Sequence, residues 1–208
     1  MSAPPDPGSS RADAWTRGLV GESYDEIAAA FIAGGVGAPR VVWRPQPADI
    51  LSSQCRFALQ YWEDAGGKAG APPLAALDPL SLRPALGYLS ILEPVADGTD
   101  FRYRLFGTQI TAMSGYDLTG ELASRQPASA YVVDFAVASF RATMLRRQPL
   151  LTLRNPVGAQ FTASWERLVL PFLDGDGAVV RLLSVSVPLT RKDQPVHIVF
   201  PGAAPLKE

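Results

Sequence analysis

From residue 49 the apolar positions recur at the period of a helix. Leu51, Cys55, Ala58 and Trp62 fall at i, i+4, i+7 and i+11, and Ile50, Phe57 and Tyr61 widen the stripe. This spacing predicts a helix over 49–64, stopped by Gly66-Gly67. A linker with Pro72 and Pro73 leads to Asp78-Pro79, which can start a short helical turn. At residue 88 the period changes to two. Residues 88–95 are a largely apolar run, Asp97-Gly98 is a turn signal, and Phe101, Tyr103 and Leu105 alternate with Arg102 and Arg104. An antiparallel hairpin is expected there. Short broken helical segments follow, around 108–113 and 118–123, separated by Gly115 and Gly120. A long helix is expected over 129–147, with Val133, Val137, Phe140 and Met144 on one face. Arg146 and Arg147 sit at its C-terminus and Pro149 ends it. Three strands complete the pattern at 150–155, 165–173 and 179–189, the last two flanking the turn Asp174-Gly-Asp-Gly. In the final strand Leu183, Val185, Val187 and Leu189 are expected to face the core, and Ser184 and Ser186 to face out.

Upstream of residue 49 the signals are weaker. Pro4, Pro5, Pro7 and Gly8 mark residues 1–20 as a flexible leader. A short helix is expected over 24–33, with Ser23 as N-cap, Asp25 and Glu26 in its first turn, and Gly34, Gly35 and Gly37 after it. The run from Gly21 to Ala29 resembles the first helix of a helix-turn-helix. Ala38-Pro39-Arg40 and Pro45 follow, however, and leave no second helix to enter a groove.

Composition narrows the function. Gly and Pro, 18 and 19 of 208 residues, break the chain too often for a long-helix bundle. A net charge of −1 supplies no attraction to nucleic acid or anionic lipid. One cysteine, Cys55, and one histidine, His197, exclude a disulfide framework and a paired-histidine metal site. No secretory signal or membrane span is legible, and a cytoplasmic location is expected.

The element order is helix, two strands, short helices, a long helix and three strands. The phrases Tyr61-Trp-Glu63, Asp78-Pro-Leu80, Asp100-Phe-Arg-Tyr-Arg-Leu-Phe-Gly107, Asp117-Leu-Thr-Gly120 and Glu166-Arg-Leu-Val-Leu-Pro171 run along it in sequence. In this the chain resembles a bacterial PAS-like family whose members are often a single PAS domain behind an N-terminal helix. The resemblance spans about residues 50–190. It implies an α+β fold: a PAS-like five-stranded antiparallel sheet with helices on one face and an N-terminal helical extension. The expected organisation is a flexible leader with a short helix over 1–45, a PAS-like domain over 46–190 including the helix 49–64, and a tail over 191–208. The resemblance also implies a sensory or regulatory module that holds a small molecule between sheet and helices and pairs through its N-terminal helix.

Candidate chemistry is sparse. Ser52-Ser-Gln-Cys55-Arg-Phe-Ala-Leu-Gln60 resembles the flavin-adduct phrase of light–oxygen–voltage domains, but here it precedes the first strand of the hairpin instead of following the second. Cys55 is therefore read as a packed core thiol. His197 lies after the last strand, without the position of a haem ligand. No cofactor is expected. Asp174 and Asp176 lack the remaining ligands of a calcium loop. No serine has a poised base and no carboxylate pair stands out, so no catalytic residue or metal ligand is assigned. Pocket candidates are Met113, Tyr116, Val133, Phe140, Trp165 and Leu183, each also an ordinary core residue type. Two readings are open for Arg102, Arg104 and Arg167: contacts to an anion or partner, or pairing with Glu166 and Asp100 on a solvent face.

The expected function is a non-catalytic PAS-type sensory or regulatory module. It binds a small apolar or weakly polar ligand, or a protein partner, and signals through association. A homodimer or partner complex is expected to use Leu51, Ala58, Tyr61 and Trp62 on the helix 49–64. No nucleic acid or membrane partner is expected. The alternative is a scaffold with a solid PAS core and no small ligand.

Overall fold

In a computed structural model, which describes residues 10–155 and 164–189, six strands form one antiparallel sheet. They are β1 (Arg40–Trp43), β2 (Leu89–Val95), β3 (Asp100–Phe106), β4 (Leu150–Arg154), β5 (Ser164–Leu173) and β6 (Val179–Leu189). Their order across the sheet is β1-β4-β5-β6-β2-β3. β5 and β6 are the longest and lie at the centre, joined by the turn that Asp174 organises: its Oδ1 accepts from the N–H groups of Asp176 and Ala178. The carboxylate is occupied in closing the hairpin, an Asx-type turn instead of a cation loop.

Among the described residues five α-helices surround the sheet: α1 (Arg11–Val20), α2 (Asp25–Ala33), α3 (Ser53–Trp62), α4 (Thr108–Ser114) and α5 (Ala130–Arg146). α3 starts at Ser52, whose side chain accepts from the Cys55 N–H, and it covers one face of the sheet. There Cys55, Ala58, Leu59 and Trp62 pack with Leu151, Leu168, Leu170, Phe172, Leu183 and Val185. α5 covers part of the opposite face through Val137 and Phe140, against Phe101, Tyr103, Val169 and Leu182. α4 stands beside it and ends at Gly115, whose φ of 82° favours a residue without a Cβ.

Two expectations about the chain before residue 49 change. Residues 11–20, expected within a flexible leader, form α1. Ser10 and Asp13 build a reciprocal capping box at its start. Trp15 and Leu19 of α1 and Ile27 and Phe31 of α2 bury against Phe135, Ala138 and Ala142 of α5. Ion pairs Arg11–Asp134, Asp13–Arg141 and Glu22–Arg146 run along this seam. The leader's helix depends on burial against α5 that no local signal announces. The sixth strand is β1, where Arg40–Trp43 pairs with β4. It was missed because four residues between two prolines carry too little periodicity. Its presence also removes the helix-turn-helix alternative, since a strand stands where a recognition helix would.

The expected helix over 49–64 starts later, at Ser53, because Pro47–Asp49 is a 3-10 turn and Ile50 is extended, and past Trp62 it runs on as a π-helical turn, Glu63–Gly67, in which Gly66 takes a φ of 107°. Among the described residues no helix is long and apolar enough to cross a membrane.

Candidate functional site

The sheet face under α5 is not uniformly apolar. Neighbouring strands set a polar row across it: Arg167 of β5 stands opposite Ser186 of β6, Ser184 of β6 stands opposite Ser90 of β2, and Arg154 of β4 stands opposite Trp165 of β5. Side chains two residues apart on a strand share a face, which places Trp165 and Arg167 side by side. α4 and the segment after it lean over this row without filling it. The result is a cavity of about 300 Å³.

Its walls divide by chemistry. Tyr103, Phe106, Tyr116 and Trp165 supply aromatic surface, and Ile110 and Met113 supply aliphatic surface. Tyr103 and Phe106 meet edge to face with ring centroids 5.1 Å apart, and the Phe106 ring centroid lies 6.2 Å from that of Tyr116. Ser90, Ser114, Ser184, Ser186 and Gln126 supply hydrogen-bonding groups, and Arg154 and Arg167 supply positive charge. Ser90, Ser184 and Ser186 are all buried. Met113 is 49% exposed and marks the mouth.

The two arginines differ in how they are held. Arg167 donates from Nε to Ser186 Oγ at 3.2 Å, and its guanidinium lies 5.5 Å from the Phe140 ring centroid. Arg154 has no hydrogen bond or ion pair among the described residues, and burial first, then the charge of Arg167, brings its guanidinium pKa down to about 10. The phenols of Tyr116, Tyr131 and Tyr103 act in the opposite direction. Burial pushes Tyr103 up to about 12 despite the pull of Arg167. Tyr103 is thus neutral at pH 7 and offers Arg154 no compensating charge. No carboxylate is among the described residues lining the cavity, and the connection 156–163 between β4 and β5 contains no Asp or Glu.

The expected site residues scatter across the structure. Met113, Tyr116 and Trp165 line the cavity, and so does Arg167. Phe140 is fully buried beside it, supporting Arg167 from below, and Val133 is half-buried on α5 without reaching it. Leu183 belongs to the opposite face, packed under α3. Arg102 donates to the Gly120 carbonyl, and Arg104 pairs with Glu93, which also pairs with Arg181. Both stand outside the cavity. Neither uses the acids first suggested for them: Asp100 accepts from Ser124, and Glu166 is buried on the far face.

Ser184 and Ser186, expected to face solvent, line the cavity. Strand alternation shows which residues share a face but not whether that face is covered, and here helices cover both faces. Arg154 and Ser90 carried one signal that could have found them: each is a polar residue on the serine-bearing face of a neighbouring strand.

The dimer-helix candidates are inward-facing in this chain. Ala58 and Trp62 are buried, and Trp62 Nε1 donates to the Pro171 carbonyl at 2.8 Å. Leu51 packs partly against the same core, and the Tyr61 hydroxyl donates to the Ala76 carbonyl and accepts from the Asp78 N–H. The stripe that looked wide enough for a second helix is consumed by the sheet and by the turns over 74–88. Glu166 completes the docking: its two oxygens accept from the N–H groups of Leu51 and Ser52 at 2.7 and 2.8 Å. Cys55 is fully buried beside it, and burial, followed by the Glu166 charge, pushes the thiol up. It lies on the sheet face opposite the cavity, so a flavin in the cavity could not receive this thiol. His197 lies outside the described residues. No cluster of three or more potential metal ligands occurs among the described residues.

A family model described as the PAS domain matches residues 51–186, the stretch that builds the sheet from β2 onward together with α3, α4 and α5. The chain belongs to the PAS domain family. No curated protein matches it. Solved structures similar to this PAS domain include a light–oxygen–voltage domain studied with a flavin analogue, at 19% identity and a TM-score of 0.39, covering 54% of this chain and 84% of that one. A second is the light-state structure of the blue-light photoreceptor Aureochrome1 LOV, at 13% identity and a TM-score of 0.36, covering 54% and 88%. A third is an RNA-binding light–oxygen–voltage receptor, at 13% identity and a TM-score of 0.38, covering 79% and 43%. At such identities and scores the likeness extends to no ligand or activity of this chain.

Proposed function

We propose that this PAS domain is a non-catalytic sensory module that binds a small molecule between its sheet and α4 and passes the event on by association. The observation that carries the reading is the cavity itself: about 300 Å³ held open on a covered sheet face, with buried serines in its wall and an arginine that has no partner among the described residues. A solid scaffold gains nothing from such a wall, because burying polar groups without partners is destabilising. The absence of a carboxylate, histidine or thiol among the described lining residues supports binding without catalysis.

A route from cavity to surface supports the sensory part. Arg167 faces the cavity, and Glu166, its neighbour in the chain, faces away and holds the start of α3. A ligand that draws on Arg167 acts on the strand that positions α3. Phe57 on α3 and the nearby Leu80 and Leu86 are exposed, with Leu80 at 69%, and they replace the buried stripe as the surface for a partner or second copy.

The test is a thermal-shift screen of the full chain against neutral, cationic and anionic small molecules. Ser184→Leu, which plugs the cavity, runs in parallel, with Ser186→Val as the second plug should the first fail to fold. Compounds that stabilise the wild type and not the plugged chain are expected. Stabilisation that survives the plug, or none at all, overturns the reading.

A further inference from the structure

Resting on that ligand-binding reading, we infer that the cavity takes a small aromatic carboxylate, its acid group between Arg154 and Arg167 and its ring against Trp165 and Tyr116. Charge comes first. Two guanidinium groups close enough to disfavour one another share a wall that, among the described residues, holds no acid. Arg167 is anchored by Ser186 and the Phe140 ring, which fixes its direction without neutralising it. Arg154 is anchored by neither hydrogen bond nor ion pair among the described residues. A bound anion supplies what both lack, and the planar fork of arginine suits the two oxygens of a carboxylate.

The rest of the wall selects the body of the ligand. Trp165 stands on the same strand as Arg167, two residues away, and directly opposite Arg154 in the register of β4 and β5. A group held at the arginines therefore continues along the indole. Tyr116 is fixed by its own bonds: its hydroxyl accepts from Gln126 Nε2 at 2.7 Å, and its carbonyl accepts from the Ser114 hydroxyl. A flat ring between these aromatics gains stacking that an aliphatic chain does not. About 300 Å³ lies at the small end of ligand pockets, which run from about 300 to 1,000 Å³, and so suits one or two rings. Inorganic phosphate would satisfy the arginines and leave the aromatic wall unused.

Fluorescence titration of the full chain, supported by isothermal calorimetry, tests the assignment with benzoate and 2-naphthoate, the matched neutral amides, and inorganic phosphate. The acids are expected to bind at least tenfold more tightly than their amides. Arg154→Gln should lose at least tenfold in affinity for the acids, Arg154→Lys should recover part of it, and Trp165→Leu should weaken 2-naphthoate more than benzoate. Circular dichroism confirms that each variant is folded. Equal binding of acid and amide, unchanged affinity in Arg154→Gln, phosphate binding as tightly as 2-naphthoate, or no binding of either acid overturns the inference. A neutral compound that stabilises the wild type but not Ser184→Leu would leave the ligand-binding reading standing while the carboxylate assignment falls. Failure of every compound in the thermal-shift screen would remove both.

Discussion

Arg154 should be a residue whose removal stabilises the ligand-free protein. On folding its guanidinium pKa is pushed down to about 10, with burial the leading cause. Each tenfold change in proton affinity corresponds to about 1.4 kcal/mol, which bounds the cost of holding the charge at about 3 kcal/mol. The residue keeps partial exposure through the cavity, and solvent there reduces the figure to roughly 1–2 kcal/mol. Arg154→Met keeps most of the side-chain length and removes the charge. For a chain of this size, about 2–4 °C of Tm accompanies each kcal/mol, so a rise of roughly 2–8 °C is expected. Urea denaturation at pH 7 followed by far-ultraviolet circular dichroism should show a higher midpoint with an unchanged slope. The pH dependence has a definite sign. Because the folded-state proton affinity of Arg154 is below the unfolded one, the unfolded chain binds more protons above pH 10. Wild-type stability therefore gains on that of Arg154→Met as the pH rises through about 10. Destabilisation of Arg154→Met by more than about 1 kcal/mol would refute the reasoning, because it would make Arg154 a structural element instead of a group held for a ligand.

Other outcomes follow from the contacts around the cavity and its supports. Glu166→Gln keeps one acceptor and turns an amide N–H₂ toward the backbone donors of Leu51 and Ser52, so a loss of about 2 kcal/mol is expected in urea denaturation; a change below about 0.5 kcal/mol would contradict the docking role. Trp62→Ala should cost roughly 3–5 kcal/mol by cavity formation and leave the oligomeric state unaltered in analytical ultracentrifugation, since the indole is turned into the core. Cys55 should resist a thiol reagent at pH 8 until the protein unfolds, because burial both hides the sulfur and raises its proton affinity; rapid labelling of the native chain would show the helix misplaced. The hydrogen bond from Arg141, with the Ser10 hydroxyl second, lowers the Asp13 carboxyl below its usual value. That stabilisation is present above about pH 4 and is lost as the pH falls through the lower folded-state value. Asp13→Asn should therefore cost about 1 kcal/mol at pH 7, and the difference from wild type should close toward pH 2.

Much of the architecture was legible because it is local. The hairpin of β5 and β6 rests on Asp174-Gly-Asp-Gly, whose side-chain bonds close the turn within five residues. The helix after Ser129 ends where Arg147 takes a left-handed backbone with a φ of 54°, just before Pro149. The period-two alternation of residues 101–105 correctly gave β3. β1 and α1 were missed: the strand needs β4, and the helix, although Ser10 and Asp13 cap it locally, buries its apolar face only against α5. Of the cavity, the sequence exposed Met113, Tyr116, Trp165 and Arg167 as residues of interest, placed Ser184 and Ser186 on a solvent face, and left Arg154 and Ser90 unremarked.

What the sequence by itself determined is the type and order of the elements from α3 onward, and with them the PAS fold. Capping, turn formation and strand periodicity act between residues a few positions apart, and they are written in the chain. Which face of each strand is wet, which is dry and which encloses a cavity was decided by tertiary packing. Alternation makes Ser184 and Leu183 point to opposite sides of β6, yet both are buried, one beside Arg167 and the other beneath α3. Glu166 and Arg167, adjacent on β5, are likewise separated by the sheet, the first buried beneath α3 and the second half-buried at the cavity. The physical reason is that a strand covered on both sides has no solvent face against which polarity can be read, so only the assembled layers distinguish a support from a binding group.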